Sequence, residues 1–327
     1  MGQNRTILVT GGLGLIGHNV VAQLEASGHT VVITDTRTNY GLVPQEEIDY
    51  LMTERLKKIK TTEIYRIDIA DQDGIDFLCR KFKPDTIIHM ASFPRQKVVN
   101  ANPQLGSRAM SEGLLNLLEA SKKHQVCKFL YISSSMVYGD FTDDVAEDAV
   151  CRPQGQYGIM KLAGEWLVRD YTRSTGIAHT IIRPSAVYGP LDVEDRVIAK
   201  FMLTAMRGGT LRVNGAGETL DFTYVDDAAT GIVAAALSSN TNNKTYNITK
   251  SHSRSLLDAA NLAVKIASKG TIEVRDKDAD FPSRGALNID AARKDFGYSP
   301  QVDVEEGFQA YYEWLNNSEY WKSKCQD

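Results

Sequence analysis

The sequence lacks the segments that would assign it to a membrane-spanning, secreted or nucleic-acid-binding class. No apolar run approaches the roughly 18 residues that cross a bilayer, and residues 1–5 lead into a predicted strand without a signal peptide. The net charge is −4 with no long basic run, which argues against nucleic acid or an anionic membrane as a partner. The cysteines Cys79, Cys127, Cys151 and Cys325 lack C-x-x-C spacing, so we expect reduced thiols and no metal site. We therefore expect a soluble, cytoplasmic protein.

What the sequence does contain is a regular alternation of strand-length and helix-length segments. The predicted strands, rich in valine and isoleucine, are Thr6–Val9, Thr30–Thr34, Glu63–Asp68, Thr86–Ala91, Lys128–Ser133 and His179–Arg183. Amphipathic helices are predicted at Val20–Ala26, Ile75–Lys81, Leu114–Lys123 and Leu162–Arg173. Apolar strands joined by helical crossovers indicate an α/β fold with a doubly wound parallel sheet, covered by helices on both faces.

A glycine-rich turn lies between the first predicted strand and the helix that follows it. Gly11, Gly14 and Gly17 have the spacing G-x-x-G-x-x-G, which lets the chain turn sharply and lets its backbone approach a pyrophosphate. The free N–H groups and the dipole of the helix attract that anion. Asp35 ends the second strand, where a carboxylate accepts hydrogen bonds from ribose hydroxyls and repels a 2′-phosphate. The turn therefore predicts an NAD site, while Arg37 leaves NADP as an alternative.

The length of the chain indicates a second lobe. At 327 residues the chain exceeds a bare dinucleotide-binding fold of about 150–200 residues. We predict an NAD-binding domain over residues 1–185, to which residues of about 222–250 return. Residues 186–221 and 251–316 are predicted to form a smaller C-terminal lobe, and residues 317–327 a polar tail.

Tyr157 and Lys161 share one face of a predicted helix, at positions i and i+4. An ammonium beside a phenol favours the phenolate, so the pair would lower the tyrosine pKa from about 10 toward neutrality. On spacing alone, such a pair is an ordinary surface contact. Ser133, Ser134 and Ser135 favour a functional interpretation, because they lie at the end of the fifth strand, where open α/β sheets bind ligands. Together these residues predict a proton-transfer site.

With these motifs the sequence resembles the extended short-chain dehydrogenases/reductases of the NAD-dependent nucleotide-sugar epimerase/dehydratase group. The resemblance extends from the glycine motif through His89–Ser92, Ser133–Gly139, Tyr157–Lys161, Arg183–Pro190 and Phe222–Asp227 to Gly297–Pro300. It implies a Rossmann domain with a smaller substrate-binding lobe and a nucleotide sugar as substrate. It also implies a homodimer built on the helices near residues 106–123 and 157–173.

The resemblance implies roles for individual residues. Ser134 would bind the reacting oxygen, Tyr157 would be the base, and Lys161 would hold the nicotinamide ribose and tune the tyrosine. Contacts to NAD are expected from Gly11, Gly14, Leu15, Ile16, Gly17, Asp35, Asp68, Ile69, Ala91, Ser92, Tyr157, Lys161 and Pro184. Contacts to substrate are expected from Ser134, Ser135, Arg95, Arg196 and Arg284, the last paired with a diphosphate. The implied reaction removes a sugar hydroxyl proton through Tyr157 while the hydride of the same carbon passes to NAD.

Several positions depart from the pattern of this family. The dehydratases carry Asp-Glu directly after the catalytic threonine, whereas this sequence has Ser135 and Met136, so we expect no 4,6-dehydration. Ala186, Leu220 and Met110 replace polar or charged residues that hold the sugar nucleotide in relatives. These changes weaken the case for an ordinary UDP-hexose.

Three interpretations follow from the sequence. The first is a nucleotide-sugar 4-epimerase, in which a transient ketone is reduced again on its other face. The second is a net oxidoreductase on the same substrates, either a 4-dehydrogenase or a ketosugar reductase. The third is a non-catalytic NAD-sensing protein, since a fold alone does not establish activity.

Overall fold

The structure, a computed structural model, describes residues 4–279 and 281–325. Its strands are β1 (Thr6–Thr10), β2 (Thr30–Thr34), β3 (Ile64–Tyr65), β4 (Thr86–His89), β5 (Lys128–Ile132), β6 (Ala178–Pro184), β7 (Val187–Tyr188), β8 (Thr210–Asn214), β9 (Thr219–Asp221), β10 (Thr223–Tyr224), β11 (Lys244–Ile248), β12 (Ser253–Ser255) and β13 (Thr271–Arg275). Its α-helices are α1 (Leu15–Ala26), α2 (Gln45–Lys57), α3 (Gln72–Phe82), α4 (Gln96–Ala101), α5 (Pro103–Ser107), α6 (Gly113–Lys123), α7 (Gly155–Thr175), α8 (Val197–Met206), α9 (Val225–Leu237), α10 (Leu256–Ala267), α11 (Asp290–Phe296), α12 (Val304–Asn317) and α13 (Glu319–Cys325).

Seven strands form one parallel sheet in the order β11-β6-β5-β4-β1-β2-β3. β1 pairs in parallel with β2 on one side and with β4 on the other. The strand order therefore reverses between β1 and β4, and in such sheets a crevice opens there at the carboxyl ends of the strands. This topology confirms the predicted α/β class with a doubly wound parallel sheet.

Helices cover both faces of the sheet, which explains why its strands are rich in valine and isoleucine. One core layer includes Val20 and Leu24 of α1 with Ile232 of α9. The opposite layer includes Leu78 of α3 and Leu117 of α6. Within the described ranges, no helix combines the length and apolar character needed to cross a membrane.

The second half of the chain contributes to both the sheet and a smaller lobe. β11 returns to the sheet and pairs in parallel with β6. The smaller lobe has its own core, in which Phe201 of α8, Ala260 of α10 and Phe308 of α12 are buried together. A capping box between Asp303 and Glu306 begins α12.

The structure differs from the sequence predictions in several elements. The strand predicted at Glu63–Asp68 is shorter, as β3 (Ile64–Tyr65), and the short helices α4 and α5 were not predicted. The predictions omitted α2, which lies between β2 and β3. The polar tail predicted for residues 317–327 is wrong for residues 319–325, because they form α13 and the indole of Trp321 is fully buried there. Residues 326–327 lie outside the described part of the chain.

Candidate active site

A cleft of about 1430 Å³ opens at the carboxyl ends of the central strands and extends to the smaller lobe. Its size exceeds the roughly 300–1,000 Å³ of a typical small-molecule site. All the residues selected from the sequence line it: Gly11, Gly14, Leu15, Ile16, Gly17, Asp35, Asp68, Ile69, Ala91, Ser92, Arg95, Ser134, Ser135, Tyr157, Lys161, Pro184, Arg196 and Arg284. The fold therefore brings the predicted cofactor and substrate residues to a single cleft.

The glycine-rich loop between β1 and α1 is packed too tightly for side chains. Gly11 has a φ of +69°, and a Cβ atom there would lie 2.7 Å from the backbone nitrogen of Ala91. A Cβ atom at Gly17 would lie 2.2 Å from the carbonyl oxygen of Gly11. Gly14 provides no side chain to cap α1, so the first N–H groups of that helix stay available to an anion. The loop fits the pyrophosphate of a dinucleotide.

Asp35 lies at the end of β2, beside this loop. Its carboxylate accepts hydrogen bonds from the backbone N–H of Leu13, at 3.0 Å, and from that of Arg37, at 2.8 Å. The carboxylate therefore fixes the loop and also lines the cleft. A fixed negative charge at this place fits a ribose diol and opposes a 2′-phosphate.

Ser134, Tyr157 and Lys161 converge at the end of β5. Ser134 begins a short 3₁₀ turn, and its hydroxyl accepts a hydrogen bond from Met136 N at 3.2 Å. Tyr157 lies close enough to Ser134 that the serine hydroxyl acts to lower the pKa of the phenol. Lys161 Nζ donates to the Ile132 carbonyl at 2.7 Å and lies 5.8 Å from the centre of the Tyr157 ring. The three side chains can therefore act on one bound hydroxyl group.

The titration of these groups differs in one respect from the sequence expectation. Burial raises the pKa of Tyr157, although the hydrogen bond from Ser134 and the positive charge of Arg196 act in the opposite direction. Lys161 does not bring the phenol toward neutrality here, because the cost of burying the phenolate outweighs the charges around it. Burial also lowers the pKa of Lys161 to about 7, with Glu165 opposing the shift. Lys161 therefore changes its protonation near neutral pH.

A buried ion pair between Arg183 and Glu165 connects the segments that carry Ser134 and Tyr157. The Arg183 guanidinium donates to both carboxylate oxygens of Glu165, from Nε at 2.9 Å and from Nη2 at 2.7 Å. Ser133 Oγ donates to the same carboxylate at 2.6 Å. Because Ser133 precedes Ser134 and Glu165 lies on α7 with Tyr157, the pair fixes both elements that carry the site.

The three predicted substrate arginines differ in their surroundings. Arg95 forms an ion pair with Asp195, with Nη2 2.6 Å from Oδ2. Arg196 Nε lies 3.7 Å from a carboxylate oxygen of Asp192. The buried Nε of Arg284 has no hydrogen-bond partner among residues 4–279 and 281–325. Burial lowers the pKa of Arg284 to about 10, with the charge of Arg196 acting in the same direction. Arg284 is therefore a half-buried cation in the cleft, and its buried Nε is an unpaired donor among the described residues.

The two positions that carry carboxyls in dehydratases place no acid in the site. Ser135 Oγ donates to Ser185 Oγ at 3.2 Å, and Met136 is buried. Two acidic residues of the following loop, Asp140 and Glu147, are bound elsewhere. Asp140 accepts from Ser283 N at 2.7 Å, and Glu147 accepts from Asn247 N at 2.8 Å. Neither is among the described residues that line the cleft.

The sequence analysis missed several residues of the cleft. Arg55 and Asp192 line it, and Tyr40 packs edge-to-face against Phe93 across it, with ring centres 4.9 Å apart. A signal for Arg55 exists, because the thirteen residues after Pro44 are rich in strong helix formers. That pattern predicts α2, on which Arg55 lies.

Comparison with known proteins gives consistent results. The sequence profile of the NAD dependent epimerase/dehydratase family matches residues 7–249. An uncharacterized UDP-glucose epimerase of Bacillus subtilis is 29% identical over 309 residues, which cover 92% of this chain and 95% of that protein. A dTDP-glucose 4,6-dehydratase of Neisseria meningitidis is 27% identical, with 98% of this chain and 96% of that protein covered. The crystal structure of UDP-glucuronic acid 4-epimerase from Bacillus cereus, in complex with UDP-glucuronic acid and NAD, is similar with a TM-score of 0.87, 29% identity, and coverage of 95% of this chain and 99% of that one.

Proposed function

Because the chain belongs to the NAD-dependent epimerase/dehydratase family, we propose that it is a nucleotide-sugar 4-epimerase. The observation that carries the proposal is the convergence of Ser134, Tyr157 and Lys161 in one cleft at the end of β5, with no carboxyl at positions 135 and 136. This set can move a proton to and from a hydroxyl group. It provides no acid for the loss of water.

In this proposal the chain positions a sugar hydroxyl and exchanges its proton. Ser134 donates a hydrogen bond to the reacting oxygen, and the Tyr157 phenolate removes the proton from that oxygen. After the transient ketone of the sugar has turned its other face toward the cofactor, Tyr157 returns the proton to the same oxygen. NAD, when bound, supplies the acceptor and donor of the hydride and brings the positive charge of its ring into the site. Lys161, whose ammonium lies 5.8 Å from the centre of the Tyr157 ring, is proposed to hold the nicotinamide ribose.

Arg284 is proposed to hold the diphosphate of the substrate. A guanidinium binds phosphate oxygens with well-defined geometry, and the Nε of this one is buried and unpaired among the described residues. An anion there restores the interactions that burial removes. Arg95 and Arg196 are proposed as secondary contacts, which have to exchange their carboxylate partners to reach a substrate.

The proposal excludes 4,6-dehydration. Loss of the C6 hydroxyl needs a base for the C5 proton and an acid for the departing oxygen. Ser135 is far too weak an acid for this step near pH 7, and Met136 has no proton to give. Asp140 and Glu147 are held in the loop by backbone N–H groups of other segments. These residues support the proposal of an epimerase over that of a dehydratase.

Product analysis tests the proposal. The protein is incubated with NAD and UDP-, dTDP-, GDP- and CDP-linked sugars, and the products are followed by mass spectrometry, NMR and absorbance of the reduced nicotinamide. We expect at least one sugar to give an epimer of unchanged mass without accumulation of NADH. A product lighter by one water would make the chain a dehydratase. Stoichiometric NADH would make it a dehydrogenase, and NAD binding without turnover of any sugar would favour the NAD-sensing alternative.

We expect the protein to bind NAD more tightly than NADP. The carboxylate of Asp35, fixed by two backbone N–H groups, repels a 2′-phosphate in a partly buried pocket. Calorimetric titration of the same preparation with both dinucleotides measures the difference. Tighter binding of NADP would contradict this assignment and make Arg37 a phosphate ligand.

We further propose a homodimer through the helices α6 and α7. Two large apolar side chains of α7, Ile159 and Trp166, are 53% and 63% exposed. Exposed apolar side chains on one helix are typical of a symmetric helical interface.

A further inference from the structure

We infer that Arg55 is a positioning residue that joins the glycine-rich loop to residues 189–196, and thereby couples NAD binding to the substrate side of the cleft. The inference rests on the proposed function, since NAD is the ligand expected at the loop. Arg55 lies on α2 and is 7% exposed. Its role is to hold two backbone segments that come from distant parts of the chain.

The two arms of the Arg55 guanidinium bind two different segments. Nη1 donates to the carbonyl oxygen of Leu13 at 2.9 Å, and Nη2 donates to that of Leu191 at 2.7 Å. Leu13 lies inside the glycine-rich loop, and its N–H already donates to Asp35. Both the N–H and the carbonyl group of Leu13, two residues before the start of α1, are therefore fixed by hydrogen bonds.

The second segment is held in an unusual conformation. Leu191 has a φ of +71°, in the left-handed region that is unfavourable for residues with a side chain. Such a conformation persists where surrounding contacts impose it, and the hydrogen bond from Arg55 is one such contact. The chain continues from Leu191 to Asp192, Asp195 and Arg196, which line the substrate side of the cleft.

α2 holds this segment at a second point. The buried carboxylate of Glu47 accepts a hydrogen bond from the backbone N–H of Glu194 at 2.8 Å. On its outer side, α2 is fixed by Tyr50, whose ring stacks on Tyr320 of α13 with centres 4.4 Å apart. The helix therefore forms a fixed support between the C-terminal helix and the cleft.

The stability of the fold alone does not explain why a charged residue occupies position 55. No described carboxylate forms a hydrogen bond or an ion pair with it, and its buried Nε has no hydrogen-bond partner among the described residues. A buried charge of this kind is often replaced by an apolar residue without loss of stability. An apolar residue, however, cannot donate hydrogen bonds to two carbonyl oxygens at once, as the planar guanidinium of Arg55 does.

The test compares Arg55→Met with the matched control Lys128→Met. Lys128 is another buried cation, and its ammonium donates to Ala235 O, Ser238 O and Thr241 Oγ1, each at 2.7 Å, at the amino end of β5 away from the cleft. Calorimetry measures NAD affinity, and hydrogen exchange followed by mass spectrometry measures protection of residues 10–17 and 189–196 with and without NAD. Melting temperatures report general loss of stability.

We expect Arg55→Met to lower NAD affinity by about 10- to 100-fold, as loss of hydrogen bonds from a charged group does. In the wild type, NAD should protect both segments, whereas in Arg55→Met the protection of residues 189–196 should disappear. Lys128→Met should lower the melting temperature and retain both effects. If Arg55→Met does not fold, Arg55→Lys replaces it, because it keeps the charge but lacks the fork.

The outcomes separate this inference from the proposed function. If the wild type binds NAD but residues 189–196 gain no protection, or if the Arg55 variants retain that protection, the inference is overturned and the proposed function stands. Equal loss of coupling in Lys128→Met would show a general effect of destabilisation and would also overturn it. If the wild type binds no NAD, both the proposed function and the inference fail.

Discussion

The Tyr157→Phe variant is expected to turn over its substrate about 10²- to 10⁴-fold more slowly than the wild type. The substitution removes only the hydroxyl that lies near Ser134, and it leaves the ring in its place on α7. NAD affinity and melting temperature should change little, because the ring still fills the same space. Steady-state kinetics on the sugar identified by the product panel, with calorimetry for NAD, measure the effect.

Tyr171→Phe is the matched control for this variant. Tyr171 lies on the same helix, and its hydroxyl donates to Glu119 at the surface. Removing that hydroxyl should leave the rate within about twofold of the wild type, since surface changes are small in effect. Full activity in Tyr157→Phe would rule out the phenol as the proton carrier. An equal loss in both variants would point to a defect of α7.

The Glu165→Gln variant is expected to lose about 3–5 kcal/mol of stability, the usual cost of leaving a buried charge without its partner. Glu165 is fully buried and binds Arg183 through both oxygens. Glutamine has almost the same shape, but its amide N–H₂ would face a guanidinium that has only donors. Urea unfolding at pH 7 measures the difference. Glu119→Gln, at the surface, is the control.

The ion pair between Arg183 and Glu165 also predicts how the stability difference between wild type and Glu165→Gln depends on pH. Arg183 holds the pKa of Glu165 below its usual 4.5, despite burial. A carboxyl whose pKa is lower in the folded than in the unfolded state stabilises the protein at pH values above the unfolded-state pKa. That stabilisation is lost as the pH falls through the folded-state pKa. The gap between wild type and Glu165→Gln should therefore be constant from pH 7 to about 5 and narrow below about 4.5. A gap under about 1 kcal/mol at pH 7 would contradict the buried ion pair.

The parts of the structure that were predicted from sequence depend on local patterns. Strands such as β5 are buried at every position because both faces of the sheet are covered, and the apolar residues that follow Lys128 make this pattern visible in one segment. The glycine spacing and the i, i+4 relation of Tyr157 and Lys161 are equally local. These motifs located the cleft because parallel strands end at one edge of the sheet.

The features that were missed depend on contacts between distant residues. Arg55 binds carbonyl groups 42 and 136 residues away, and no local pattern marks a backbone oxygen as a partner. The burial of Trp321 depends on α13 joining the core of the smaller lobe. The charged and polar residues around Trp321 give no sign of this contact in the sequence. The raised pKa of Tyr157 has the same origin, because burial is a property of the assembled cleft.

The place of β11 at the edge of the sheet has a consequence for synthesis of the chain on the ribosome. A nascent chain that ends at residue 185 has six of the seven strands, but the edge of β6 is unpaired and Val20 and Leu24 of α1 have no α9 to cover them. Unpaired edges and uncovered apolar surface are what make folding intermediates aggregate. About 60 further residues, most of them belonging to the smaller lobe, must emerge before β11 closes that edge. The sheet can therefore be completed only after β11 has been synthesised, although six of its seven strands are present by residue 185.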